Sequence, residues 1–297
     1  MHVFVTGATG HIGSAVVTEL LEAGHRVTGL ARSDEGAAKL TAAGATARRG
    51  NLDDPDGLRD AAAAADGVIH LAFEHDFDDF MAVAQKDLRA VEAMGEALAG
   101  SDRPFVITSG TLLLAALGQG RVGTEHDTMP SGPRIDSENA AIALAERGVR
   151  SSVIRLSPLV HSNLDHHGFA HHLIRTARDT GVSAYIGDGS NRWPAVHTLD
   201  AARMYRLALE TAPAGTRLHG VADEGVAFCD IAAVIGRHVN VPVVGISSEQ
   251  AGHFGFLALF ASLDNPTSNA LTQKVLDWHP ERPGLIEDLD EGHYFRE

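Results

Sequence analysis

Val3-Phe4-Val5 puts three apolar residues in a row near the start of the chain, as in a strand buried on both faces. From Ile12 the period changes. Val16, Val17, Leu20 and Leu21 fall on one face of a helix, and Gly24 closes it. Residues 26–30 read as a second strand and 46–48 as a weak third, with a helix starting after Asp54-Pro55. Residues 68–71 form the next strand, followed by a helical pattern over about 77–98. Further strands are predicted at 105–108 and 152–156, separated by a helix over about 134–146. Short apolar runs alternating with amphipathic helices predict an α/β fold, a doubly wound parallel sheet covered by helices.

Beyond Leu156 the pattern loosens. Gly, Pro, His and Asn become denser, and Gly187-Asp188-Gly189-Ser190-Asn191 marks a turn. Helices are expected near 199–209 and 231–239, with strands around 218–221 and 241–246. No linker or repeat interrupts the chain. The expected division is a core over 1–160 and a smaller lobe over 161–297, some elements of which return to the core.

Composition narrows the function. The 297 residues are 44% hydrophobic and 21% charged, an ordinary globular balance. Acidic residues number 39 against 24 basic ones, a formal charge of −15 that repels a phosphate backbone and argues against nucleic-acid binding. The single cysteine, Cys229, excludes an intramolecular disulfide and a cysteine-rich zinc site. No apolar run reaches membrane-spanning length and the N-terminus has no signal-peptide pattern, so a soluble cytoplasmic protein without a membrane partner is expected.

The most specific chemical signal is Thr6-Gly7-Ala8-Thr9-Gly10-His11-Ile12-Gly13, set between the first strand and the first helix. Glycines at 7, 10 and 13 allow a sharp turn and close packing of helix on sheet. The helix N-terminus then offers free N–H groups and a positive dipole end to a pyrophosphate. Gly7, Thr9, Gly10, His11, Ile12 and Gly13 are therefore expected to bind a dinucleotide.

With its leading threonine and Gly-x-x-Gly-x-x-Gly spacing, the motif resembles the extended and atypical short-chain dehydrogenases/reductases, which include NAD-dependent epimerase/dehydratase-like proteins. The resemblance runs through most of the chain. It implies that Asn51 and Leu52, in Gly50-Asn51-Leu52-Asp53, contact adenine. It places Leu71 and Ala72, after His70, under the nicotinamide ribose, with Phe73 next to them in the substrate pocket. Thr108 and Ser109 fall where the family keeps its catalytic serine, and Ser157, Pro158, Leu159 and Val160 flank the nicotinamide. The stretch from Gly187 to Asp200 resembles the substrate-lobe strand and helix of extended members. A small-molecule substrate and a homodimer paired through 77–98 and 134–147 are implied in the same way.

Charge bears on the cofactor. An acidic residue ending the second strand would favour NAD, but this strand runs into Arg32-Ser33. Arg32 can pair with a 2′-phosphate through two hydrogen bonds, which points to NADP, while Asp34 leaves NAD open.

The family's usual Tyr-x-x-x-Lys pair is missing. Three tyrosines (185, 205, 294) and three lysines (39, 86, 274) are present, and no pair has that spacing. Arg134 and Glu138 stand where the pair is expected, one helical turn apart, and read as an ordinary ion pair. Arg134 could also polarise a carbonyl from the pocket. Ser109, His161, Tyr185 and His197 are the candidates for catalytic polar groups, and Trp193 for the pocket wall. Asp165-His166-His167 and His171-His172 invite a metal reading but lack a third well-placed ligand, so no metal is expected. These observations predict an NADP(H)-dependent oxidoreductase reducing a carbonyl-like group. The alternatives are a non-catalytic NAD(P)-binding redox regulator and a sugar-nucleotide epimerase or dehydratase.

Overall fold

The computed structural model describes residues 1–74, 79–118 and 120–296. The first half alternates strand and helix: β1 (His2–Thr6), α1 (His11–Glu22), β2 (Arg26–Ala31), α2 (Asp34–Ala42), β3 (Thr46–Arg49), α3 (Pro55–Ala63), β4 (Gly67–His70), α4 (Phe80–Leu98), β5 (Pro104–Gly110), α5 (Ile135–Ala143) and β6 (Arg150–Leu156). There follow β7 (Leu159–His161), α6 (Phe169–Thr180), β8 (Ser183–Ile186), β9 (Arg192–His197), α7 (Thr198–Thr211), β10 (Thr216–Gly220), β11 (Asp223–Ala227), α8 (Phe228–Val239), β12 (Val243–Ile246), α9 (Ala270–Leu276) and α10 (Leu285–Asp290).

Seven parallel strands form the main sheet in the order β10-β6-β5-β4-β1-β2-β3. The alternation within β1 shows why it is apolar throughout. Val3 and Val5 pack with α1 and α7 on one face, while Phe4 packs with α3, α4 and α5 on the other. The order reverses between β1 and β4, opening a crevice at the strands' C-terminal ends where α/β sheets bind ligands. The lobe carries the sheets β11-β9-β7 and β12-β8, with α6, α8 and α10 around a separate apolar cluster. Both β10 and α7, from the second half of the chain, pack into the main sheet layer.

Two helices differ from the sequence reading. The helix expected from about 77 begins at Phe80, capped by Asp79, whose carboxylate accepts the Ala82 N–H at 3.3 Å; Phe77 and Asp78 lie outside the described residues. The helix expected over 134–146 ends as α-helix at Ala143 and tightens into a 3₁₀ turn, Leu144–Arg147. Arg134 precedes it with a left-handed φ of 65°. Among the described residues, no helix is long and apolar enough to cross a membrane.

Candidate cofactor and active site

The glycine motif is built by exclusion of side chains. Gly7 has a φ of +66°, and a Cβ there would sit 2.7 Å from the Ala72 nitrogen. A Cβ on Gly13 would lie 2.0 Å from the Gly7 carbonyl oxygen, so only glycine lets α1 pack this closely on the β1 turn. Gly10 caps α1, and a Cβ on it would meet only the Gly7 oxygen, at 3.3 Å. Thr9 and Gly10 are exposed, and α1 presents its free first-turn N–H groups beside them. The cradle fits a dinucleotide pyrophosphate.

The C-terminal ends of β2 and β3 are equally defined. Ser33 caps α2 by accepting the Gly36 N–H at 3.1 Å, leaving Arg32 exposed at the strand end. Sequence reasoning passed over Arg49. Parallel register sets it beside Ala31, and its guanidinium donates to the Arg32 carbonyl at 2.9 Å and lies 3.5 Å from Asp34. The Arg48-Arg49 pair at the end of a strand next to β2 was the available signal. Asn51 accepts the Asp53 N–H at 2.8 Å in a tight turn that buries Leu52.

At the C-terminal ends of β1 and β4 runs a buried chain of hydrogen bonds. The Asp87 carboxylate on α4 accepts from His70 Nε2 at 3.2 Å. His70 Nδ1 accepts from the Thr6 hydroxyl at 2.6 Å, and Thr6 Oγ1 accepts the Ala72 N–H at 3.2 Å. Burial alone would raise the Asp87 pKa, but Arg134 and the His70 bond outweigh it and hold the carboxyl below its ordinary value. The chain fixes the Leu71–Ala72 turn over Gly7. The sequence shows Thr6 and His70 inside recognisable motifs, but not that Asp87 joins them.

Arg134 and Glu138 do not pair with each other, contrary to the helical-spacing expectation. Arg134, outside the helix, donates to the Thr108 carbonyl and lies 4.0 Å over the Phe73 ring. Glu138 faces the sheet and accepts from Arg155 at 2.5 and 3.0 Å and from Arg217 at 2.6 Å. Burial opposes its charge, yet the two guanidinia keep its pKa lowered. Thr108 donates to the His70 carbonyl at 2.9 Å and accepts from Tyr205, 2.7 Å away. Ser109 is buried, and its hydroxyl has no hydrogen-bond partner among the described residues. Ser157 donates to the Gly220 carbonyl at 2.8 Å; Pro158 and Val160 are half-buried and Leu159 is buried.

The other candidates gather elsewhere. His161 and His197 come together, rings 5.5 Å apart, but both are buried: His161 bonds Asp288 at 2.8 Å, and His197 caps α7 by accepting the Leu199 N–H. Burial, with His161 beside it, pushes His197 down to about 4. Tyr185 packs against Gly189 and Gly245 in the lobe, and Trp193 fills the lobe core between Phe169 and Phe228. The paired histidines are engaged separately, His171 with the Asp165 carbonyl and His172 with the Phe254 carbonyl and Arg175.

A parallel sheet in Rossmann order, a three-glycine turn and an anion-ready helix end define a nicotinamide-dinucleotide-binding protein of the short-chain dehydrogenase type. The model of the NAD dependent epimerase/dehydratase family matches residues 3–219, and the chain belongs to that family. It is an NAD(P)-dependent oxidoreductase. An uncharacterized protein of Schizosaccharomyces pombe is 49% identical over 298 residues, covering 99% of this chain and 100% of the relative. A decarboxylating sterol-4-alpha-carboxylate 3-dehydrogenase of Dictyostelium discoideum is 26% identical, covering 70% of this chain and 67% of its own. The fold is shared with a dTDP-glucose 4,6-dehydratase from Streptomyces venezuelae with NAD bound, at a TM-score of 0.77 and 19% identity over 98% of this chain and 96% of that one.

Proposed function

We propose that the protein reduces a carbonyl-like group on a small molecule in the cytoplasm, using NADP(H) and no Tyr-x-x-x-Lys pair. The observation that carries the reading is Arg134: a guanidinium stands where the family keeps its tyrosine, held by the carbonyl of Thr108, the residue before Ser109, and by the Phe73 ring, while the buried Ser109 hydroxyl has no partner among the described residues. The cofactor supplies hydride when bound. Ser109 donates a hydrogen bond to the acceptor oxygen, and Arg134 stabilises the negative charge that develops there. An arginine stays protonated, so the proton comes from water after the charge has formed. Glu138, clamped by two arginines, takes no part in proton transfer. Thr6, His70 and Asp87 hold the loop on which the ribose rests.

Arg32 and Arg49, at adjacent strand ends, support NADP through recognition of its 2′-phosphate. Family resemblance further supports a homodimer paired through α4 and α5, a state that light scattering measures. The test is consumption of NADPH and NADH by the full chain with a panel of aldehydes and ketones. NADPH is expected to be oxidised with at least one acceptor, and Arg32→Asp to weaken NADPH at least tenfold more than NADH. Tight binding without turnover across the panel would instead support the redox-regulator reading.

A further inference from the structure

We infer that His11 is a proton-linked cofactor residue, becoming the cationic bridge between the dinucleotide pyrophosphate on α1 and the Asp165 carboxylate of the lobe. This rests on the cofactor reading above and adds to it a coupling between the two halves of the chain. His11 is the first residue of α1, and its ring points across to the second half of the chain. Nε2 lies 2.6 Å from the Thr198 hydroxyl on α7, and Nδ1 lies 3.6 Å from Asp165.

The Thr198 hydroxyl hydrogen is assigned to the His161 carbonyl, and that assignment sets which ring nitrogen of His11 holds the proton. Thr198 has one hydroxyl hydrogen, which it donates to the His161 carbonyl at 3.1 Å, and it accepts from Ser162 at 2.8 Å. Its oxygen is therefore an acceptor toward His11, so the neutral ring carries its proton on Nε2. The Nδ1 lone pair then faces a carboxylate oxygen, acceptor against acceptor, until a second proton arrives.

Asp165 has neutral donors but an open place for a cation. It is buried, and its carboxylate accepts N–H groups of His167 at 3.1 Å and Gly168 at 2.7 Å, and the Tyr294 hydroxyl at 3.2 Å. Among the described residues, His11 is the only basic side chain within ion-pairing distance of it. Around the ring stand His161 from β7, Asp165 and His166 from the loop before α6, and His171 from α6. Thr198 faces it from α7, while Tyr294 and Asp288 reach the same cluster from the C-terminal segment. Burial favours the neutral ring, the three histidines add to that, and Asp165 opposes it; the net pKa is lowered. A pyrophosphate at the end of α1 brings negative charge without a counter-charge from any glycine of the motif. Its arrival favours protonation of His11, and the charged ring can then donate to Thr198 and Asp165 together.

The experiment is calorimetric titration of the full chain with NADPH, and with NADH, which lacks the titrating 2′-phosphate. It is run near neutral pH in buffers of different ionisation enthalpy. The wild-type protein is expected to take up a large fraction of one proton with either nucleotide. Its affinity is expected to fall by up to about tenfold per pH unit as pH rises through that range. His11→Gln retains an N–H for Thr198 but cannot titrate, so it should bind without uptake; Asp165→Asn should reduce the uptake. Binding by the wild type without proton uptake, or the same uptake in His11→Gln, would overturn the inference and leave the cofactor reading standing. Failure of both nucleotides to bind folded wild-type protein would overturn both.

Discussion

Single residues here are legible in type but not in partner. Arg32, Ser109 and the glycines could be singled out from the chain because strand ends and glycine spacing locate them. Their partners come from distant segments: Arg49 beside Arg32, Asp87 behind His70, Asp165 beside His11. The Arg134–Glu138 expectation failed for a local reason. A left-handed φ at Arg134 takes it out of the helical register that i,i+4 spacing presumes. His219 shows what such burial does. Its Nδ1 donates to the Ser268 carbonyl at 2.7 Å, and Nε2 accepts from Arg155, 3.3 Å away, so the ring must be neutral. Burial pushes its pKa down to about 4. The unfolded chain therefore binds more protons than the folded one between about pH 4 and the ordinary histidine value of 6.5. Stability is fully present above 6.5 and is lost as pH falls through that window, by on the order of 3 kcal/mol for this residue. Urea midpoints at successive pH values should fall accordingly, and less steeply in His219→Asn; an equal slope in the variant would contradict this assignment.

At the scale of elements, strands with continuous apolar runs and helices with a clear period could be read directly, and β1 to β6 follow the expected alternation. In the lobe, local pattern reads only β12, at 241–246, and β9 falls in the stretch where the family resemblance implies a strand; β7, β8 and β11 could not be read. β7 has three residues, β8 has four, and β9 contains Pro194, which argues against a strand when only the sequence is seen. They exist because β7 pairs with β9, β8 pairs with β12, and both sheets cover the lobe core, a tertiary cause that local pattern does not carry. The β1–α1 unit is the opposite case, since its packing is written into the glycines. Gly13→Ala places a methyl group 2.0 Å from the Gly7 oxygen, so α1 must shift. The expected cost is about 1–3 kcal/mol of stability, read as a lower denaturation midpoint, with nucleotide affinity falling at least tenfold. Unchanged affinity would show that the α1 turn does not receive the pyrophosphate.

The whole molecule joins a parallel-sheet core, whose cradle suits a dinucleotide, to a lobe attached through β10, α7 and the His11 contacts. The absence of the tyrosine–lysine pair could be read by counting, whereas the guanidinium's anchorage on the Thr108 carbonyl and the Phe73 ring required the fold. In the proposed reaction Arg134 takes over charge stabilisation from the missing tyrosine. The direct test is steady-state kinetics of Arg134→Leu with NADPH and an accepted carbonyl substrate, with melting curves confirming the fold. The expected result is a fall in kcat of about 100-fold or more, with NADPH affinity within a few-fold of wild type. A kcat close to wild type would contradict it.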